Sequence, residues 1–163
     1  MESIPLAPLT ARDGTRLEVR ALTAAELPAL MRFNAGLSAV TRAVFLPHAY
    51  DEVTLRRYVE RQVRGLDRIY VLGLGSEIVG YFFLWEHDQP VPLLGIGLTD
   101  AWQGQGLGEP MLRQLVAEAR AAGREGVELT TVRTNARAFR LYQRGGFELV
   151  GEVDNVAGDG RVV

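Results

Sequence analysis

Leu93-Leu94-Gly95-Ile96-Gly97-Leu98-Thr99-Asp100-Ala101-Trp102-Gln103-Gly104-Gln105-Gly106-Leu107-Gly108-Glu109-Pro110 joins an apolar, strand-like run to an amphipathic helix through a turn of alternating glycines. Gly104, Gly106 and Gly108 leave backbone amides uncovered by side chains, and Pro110 suits the first helical position. Free amides at a helix N-terminus, aided by the helix dipole, form a seat for an anion, usually a phosphate. Such glycines also occur where a helix merely packs close to a strand. Two phosphate motifs fail on inspection. The ATP/GTP loop requires Lys and then Ser or Thr after its last glycine, whereas Glu109 and Pro110 follow Gly108. The dinucleotide fingerprint requires two residues between its last glycines, and here one residue separates Gly106 from Gly108.

Working outward, residues 15–22 alternate apolar and polar side chains as a strand does, and Thr23-Ala24-Ala25-Glu26 has capping-box spacing for a helix over 24–33. A second helix is predicted over 54–64, followed by a hairpin of 69–74 and 78–85 about Gly75-Ser76-Glu77. Residues 93–98 form the next strand and 109–122 the helix after the glycine turn. Strand 127–132, helix 135–144, strand 147–153 and a very short last strand at 161–163 complete the order. This order predicts an α/β fold with a mixed, mostly antiparallel central sheet flanked by helices, in which the crossover from 98 to 127 joins parallel strands.

The 163 residues suit one domain, expected to bury roughly two-thirds of the surface its unfolded chain exposes. A hydrophobic share of 47%, a charged share of 23% and a net charge of −2 are those of an ordinary globular protein and argue against nucleic acid as the main partner. The absence of Cys removes any thiol nucleophile or zinc-thiolate site. No apolar run approaches a membrane span, and residues 1–10 lack a signal-peptide pattern, so a cytoplasmic location is the default expectation.

The glycine turn has a downstream companion, Asn135-Ala136-Arg137-Ala138-Phe139-Arg140-Leu141-Tyr142 before Gly146-Phe147. Together they resemble the GCN5-related N-acetyltransferase (GNAT) superfamily. Its phosphate turn reads Gln/Arg-x-x-Gly-x-Gly/Ala, and its later helix reads Asn-x-x-Ala-x-x-Leu-Tyr before a Gly-Phe. The resemblance spans about residues 69–153 and implies a GNAT-like acyl-CoA acyltransferase fold over a single domain, 1–163. It implies acetyl-CoA as co-substrate, with no metal, and an amine as acceptor. The CoA pyrophosphate would sit on the amides of Gln103, Gly104, Gln105, Gly106, Leu107, Gly108 and Glu109. Pantetheine would lie along Ile96, Gly97 and Leu98, where Gly95 and Gly97 allow close approach or mark a bulge that splays the strand from 127–132. The Leu98 amide would be the oxyanion donor. Asp100 stands where the family typically has Pro.

Asn135 reads as a helix N-cap and, by resemblance, as a contact to pantetheine. The small Ala138 leaves room for the cofactor beside that helix. Tyr142 reads either as a packed core tyrosine or as the general acid. A phenol of pKa about 10 can protonate a departing thiolate whose conjugate acid has pKa about 8.5. The base is less legible. At pH 7 a lysine amine is neutral in only about one molecule in 2,500 and an α-amine in about one in seven. Residues 93–98 contain no carboxylate, and Thr130 stands five residues before Asn135, where ribosomal-protein-type N-terminal acetyltransferases have Glu. Glu86, with His87 and Asp88, is the substitute base, acting directly or through water, against the plainer reading of a solvated turn.

Arg133, Arg137, Arg140 and Arg144 make a solvated streak, of which Arg137 or Arg140 is placed to attract nucleotide phosphates. Trp102 is expected to pack the turn onto the body. His48 and Tyr50 lie where the family places its acceptor pocket, with no role assigned. The leading expectation is direct acetyl transfer to a primary amine. Its alternatives are a non-catalytic or longer-acyl-CoA-binding member of the fold, and a nucleic-acid or structural module presenting the arginine streak. The short terminal strand leaves open that a partner subunit, as in a homodimer, completes the sheet edge.

Overall fold

The structure, a computed structural model, describes residues 6–162. Strands β1 (Leu9–Thr10), β2 (Arg16–Ala21), β3 (Arg68–Leu74), β4 (Glu77–Trp85) and β5 (Leu93–Leu98) form a sheet in chain order, and every neighbouring pair is antiparallel. Helices α1 (Leu27–Ala35), α2 (Ala39–Val44) and α3 (Glu52–Val63) connect β2 to β3, while α4 (Gly108–Ala121) and α5 (Ala136–Arg144) follow β5. The expected parallel component is present as one bridge, Leu93 to Glu128. The observed architecture is thus an antiparallel five-stranded sheet flanked by helices, and the expected parallel strand pairing is reduced to that bridge. Among the described residues no helix is long and apolar enough to cross a membrane.

Both faces of the sheet are covered, which explains the nearly unbroken apolar run of β4. Tyr70, Leu72, Phe82 and Leu84 point to a cluster with Met111, Leu112 and Leu115 of α4 and Tyr142 of α5. Ile69, Val71, Tyr81 and Phe83 point the other way, to Leu30 and Phe33 of α1 and Leu55 of α3. β2 alternates buried Leu17 and Val19 with exposed or half-exposed polar side chains, as its period predicts.

Several boundaries differ from the sequence expectations. The helix expected over 24–33 begins as a 3-10 turn, Ala24–Glu26, before α1. Thr23 makes no side-chain capping bond: Glu26 N–H donates to Thr23 O at 3.0 Å in the 3-10 turn, and the Glu26 carboxylate accepts from Arg20 Nε at 2.6 Å rather than reaching back to Thr23. The short helix α2, capped by Ser38 through Thr41 N–H, was not anticipated, and neither was β1. Residues 127–132 and 147–153 do not form strands. Beyond Glu128 residues 129–133 meet residues 152–155 through side chains, Asn155 Nδ2 donating to Thr130 Oγ1 at 2.6 Å and Arg133 pairing with Glu152, rather than by a backbone ladder. Of the last expected strand, Val162 bridges to Val156 and Val163 lies outside the described residues, as do residues 1–5 of the leader.

Candidate active site

The site begins with the way β5 pairs. Thr99 N–H donates to Val79 O at 2.9 Å, which fixes the phase of the β4–β5 ladder. Gly95 and Gly97 therefore exchange bonds with Phe83 and Tyr81, and the N–H and C=O groups of Leu94, Ile96 and Leu98 point to the opposite edge. On that edge Leu94 N–H donates to Glu128 O at 2.8 Å, and the pairing then stops. The N–H and C=O of Ile96 and the N–H of Leu98 have no partner from another segment of the described chain. Half-buried, unpaired strand groups are a template for an added strand-like ligand. The Leu98 N–H is held in this direction because the Gly97 carbonyl of the same peptide faces Tyr81.

The gap opens without the expected bulge. Register is unbroken from Gly80–Leu98 to Trp85–Leu93, and the irregularity lies in β3–β4 at Leu72/Gly73. Gly95 and Gly97 do not face the gap either. A Cβ on Gly95 would lie 2.3 Å from Phe83 Cζ, and one on Gly97 2.1 Å from Phe45 Cε1. These glycines exist so that two aromatic rings can lie against the strand from the α1–α3 side.

β5 leads directly into the glycine turn. Gly104 and Gly106 adopt φ of +74° and +76°, the left-handed region that glycine occupies without strain. Gly108 is different: it is helical, and a Cβ there would meet Leu141 Cδ2 at 3.0 Å, so its absence seats α5 on the start of α4. Among the described residues, the amides of residues 104–109 are not hydrogen-bonded to any other group of the chain. They stand at the positive end of α4, a helix of 14 residues.

Gln103 is a brace rather than an exposed donor. Its Nε2 donates to Thr41 Oγ1 and to Leu98 O, each at 3.1 Å, and its Oε1 accepts from Arg137 Nη1 at 3.3 Å. One side chain thus ties α2, the end of β5 and α5 to the turn. Asp100 completes this frame by accepting from Ser38 N–H (3.1 Å), Ser38 Oγ–H (2.6 Å) and Thr41 Oγ1–H (3.1 Å). Its hydrogen bonds with Ser38 first, then Thr41, hold its carboxyl below the usual range. Asp100 therefore fixes the loop by anchoring Ser38, the N-cap of α2, and Thr41.

Asn135 caps α5 by accepting from Ala138 N–H at 3.3 Å, which leaves its Nδ2 free for a ligand. Ala138, Leu141, Ile96 and Leu98 all pack against the cluster that contains Tyr142. Tyr142 is buried, its ring 5.8 Å from that of Phe147, and burial pushes its phenol up to about 12. Its hydroxyl makes no hydrogen bond among the described residues. Tyr142 also lines an open groove of about 1870 Å³ between α5 and residues 124–133 and 145–157, together with Leu129 and Phe139. Ile96, Leu98, Ala138, Leu141 and Tyr142 thus share one cluster, Gly108 meets it through Leu141, and Asn135 starts the helix that carries Tyr142.

Glu86 is not among them. Leu98 pairs with Gly80, while Glu86 follows Trp85, about 20 Å further along at roughly 3.3 Å per residue. Its backbone, at φ +56°, is held by Asp67 Oδ1, and that carboxylate also pairs with Arg61. Glu86 thus belongs to a structural turn at the far end of β4.

His48 lies at the centre of an aromatic cluster under α3, stacked on Tyr58 with ring centroids 4.5 Å apart and flanked by Tyr50, Tyr81 and Trp85. Nδ1 lies 2.8 Å from Ala49 O, which can only accept, so Nδ1 carries the proton and Nε2, at 2.7 Å, accepts from Tyr81 O–H. Burial holds the imidazole down to about 4.

The sequence profile of the acetyltransferase (GNAT) domain matches residues 16–148. The chain belongs to that family. Relatives of this GNAT chain include a mycothiol acetyltransferase of Corynebacterium glutamicum (strain R), 34% identical over 74 residues, which are 45% of this chain and 25% of the relative. The uncharacterized N-acetyltransferase YvbK of Bacillus subtilis (strain 168) is 26% identical over 81 residues, 49% of this chain and 52% of YvbK. The GNAT chain spans a quarter of the length of the first relative and about half of the second. Two solved structures share its fold. The GNAT domain of S. lividans PAT superposes with a TM-score of 0.77 at 17% identity, covering 98% of this chain and 97% of that one. The spermidine N-acetyltransferase of Vibrio cholerae, in complex with CoA and spermine, gives a TM-score of 0.69 at 18% identity, covering 85% and 84%.

Proposed function

We propose that the protein is an acetyl-CoA-dependent N-acetyltransferase that passes the acetyl group directly to a primary amine. The observation that carries this reading is the continuity of donors along one path. The unpaired edge of Ile96 and Leu98 runs into the free amides of the glycine turn, a line of backbone donors suited to an amide-containing arm that ends in a diphosphate. Acetyl-CoA has this chemistry, and the GNAT family supplies the prior.

In this reading the amides of Gly104, Gln105, Gly106, Leu107, Gly108 and Glu109 take the diphosphate. Ile96 and Leu98 pair with the pantetheine amides, and Asn135 Nδ2 adds a donor near the reactive end. Leu98 N–H is oriented to stabilise negative charge developing on the thioester carbonyl oxygen. Tyr142 donates its proton to the departing sulfur, the nitrogen sheds its extra proton to water as the amide forms, and water returns a proton to the phenolate. Asp100, the carboxylate nearest Leu98 in sequence, is committed to α2, so the acceptor arrives as the neutral amine. The rate then rises about tenfold per pH unit below the pKa of the acceptor amine.

Thermal denaturation with acetyl-CoA tests the binding claim, since ligand at a hundred times its Kd adds about 2.7 kcal/mol. Release of free CoA with spermidine, a lysine peptide and an α-amine peptide tests the transfer. Stabilisation by acetyl-CoA with no release for any amine would leave a binder without catalysis. The volume of the groove beside Tyr142 favours a second reading, transfer of a longer acyl chain, which a stronger shift with longer acyl-CoAs would support.

A further inference from the structure

Arg12 reaches the glycine turn from the β1–β2 connection, far away in sequence. Its backbone N–H donates to Gln105 O at 2.9 Å, and its Nη1 donates to Gly104 O at 3.3 Å. Its Nε lies 3.9 Å from where a Cβ on Gly106 would stand. The described peptides are all trans, so within each plane the N–H points opposite to the C=O. The Gly104 carbonyl shares its plane with the Gln105 N–H, and the Gln105 carbonyl shares its plane with the Gly106 N–H. Arg12 grips both carbonyls, and both amides are therefore aimed away from it, to the open side of the turn.

We infer that Arg12 is a positioning residue for the donor diphosphate: it fixes two peptide planes from behind so that their amides converge on the anion. The inference rests on the acyl-CoA reading above and names a residue that reading does not require. The turn needs such support. Its two left-handed glycines are the residues most free to rotate, and an untethered Gly104–Gly106 segment would populate many orientations of the same amides. The support is itself rigid. Ala11 N–H donates to Thr15 O at 2.8 Å, Gly14 N–H to Ala11 O at 2.9 Å and Thr15 N–H to Asp13 Oδ1 at 2.9 Å, and Ala11 is buried. The guanidinium on the Gly104 carbonyl also polarises that peptide in the direction that makes the Gln105 N–H more positive.

The test compares Arg12→Ala and Arg12→Lys with the parent protein on acetyl-CoA and on S-acetylpantetheine, which has the thioester arm but no phosphate. Arg12→Ala is expected to raise the KM for acetyl-CoA about tenfold, the scale of one lost charged hydrogen bond, while kcat holds. The kcat/KM for S-acetylpantetheine should stay within twofold of the parent. Arg12→Lys, which keeps the charge and the backbone bond, should recover most of the loss. An unchanged KM for acetyl-CoA in Arg12→Ala overturns the inference. So does a parallel loss with S-acetylpantetheine, which would mark general damage. Failure of the parent protein to bind acetyl-CoA would instead overturn the acyl-CoA reading itself.

Discussion

Replacing Tyr142 by Phe separates chemistry from packing at this site. The Tyr142 ring is buried against Phe147 and the α4–α5 cluster, and Phe keeps all of that contact. The hydroxyl has no hydrogen-bond partner among the described residues, so its removal strands no other polar group, and the melting temperature should not fall. Turnover is another matter. A positioned general acid contributes about 10²- to 10⁴-fold, so kcat for CoA release at saturating amine should drop by about a hundredfold or more. Burial adds a constraint on pH. A phenol of pKa about 10 would be half ionised at pH 10, whereas at about 12 roughly one molecule in a hundred is. With an acceptor already neutral, the parent rate should stay flat to pH 10, because the acid form persists. The same burial places the phenol about three and a half units above a thiol in water, an uphill transfer of roughly 5 kcal/mol. The assay is thiol release by a thiol-reactive dye between pH 7 and 10. A Tyr142→Phe protein with kcat within twofold of the parent would refute the acid role and return Tyr142 to packing.

Glu86→Gln should leave kcat and both KM values within twofold, since Glu86 lies at the opposite end of β4 from Leu98; a hundredfold loss would restore it as the base. Gly97→Ala should displace the Phe45 ring, whose Cε1 is 2.1 Å from the new methyl, and destabilise the fold by about 1–3 kcal/mol in urea unfolding. Acetyl-CoA affinity should be retained in that variant, because the added methyl faces away from the open edge. His48 and His87, both held near 4 by burial, bind fewer protons when folded than when unfolded. Stability is therefore full above about pH 6.5 and falls as pH drops to about 4, with a slope of up to roughly 1.4 kcal/mol per pH unit for each group. His48→Asn should reduce that slope by about half; an unchanged slope in urea titrations would show that His48 titrates normally in the fold.

The elements whose cause is local were legible in the sequence. The β3–β4 hairpin, α3, α4 and α5 appear within a few residues of expectation because periodicity and capping determine them, and Asn135 caps α5 as its position implies. The two turn glycines were legible for the same reason, since left-handed backbone needs glycine whatever surrounds it. Contacts across the fold were not. Arg12 is 92 residues from Gly104, and Thr41 is 62 from Gln103, so no window of sequence joins them. Ser38 before Ala39-Val40-Thr41 was a signal for α2, but a helix of six residues is too short to show a period.

The glycines of β5 show most clearly where local reasoning stops. Gly95 and Gly97 suggest close approach of something to the strand, and that much is correct. Sequence alone does not say from which side the approach comes. An alternating strand gives successive residues to opposite faces, and here the odd positions belong to the Phe45–Phe83 side. The ligand edge is a matter of hydrogen-bond phase, set by Thr99 pairing with Val79, and it lies in the plane of the sheet rather than on either face. Edge and face are therefore independent. Glycine in β5 seats the aromatic rings, while the missing partner beyond Glu128 leaves the edge unpaired, as the proposed donor path requires. Filling a glycine should disturb the aromatic packing and spare donor binding. A proline at Ile96, which would remove one edge N–H without adding bulk toward Phe45, should do the reverse.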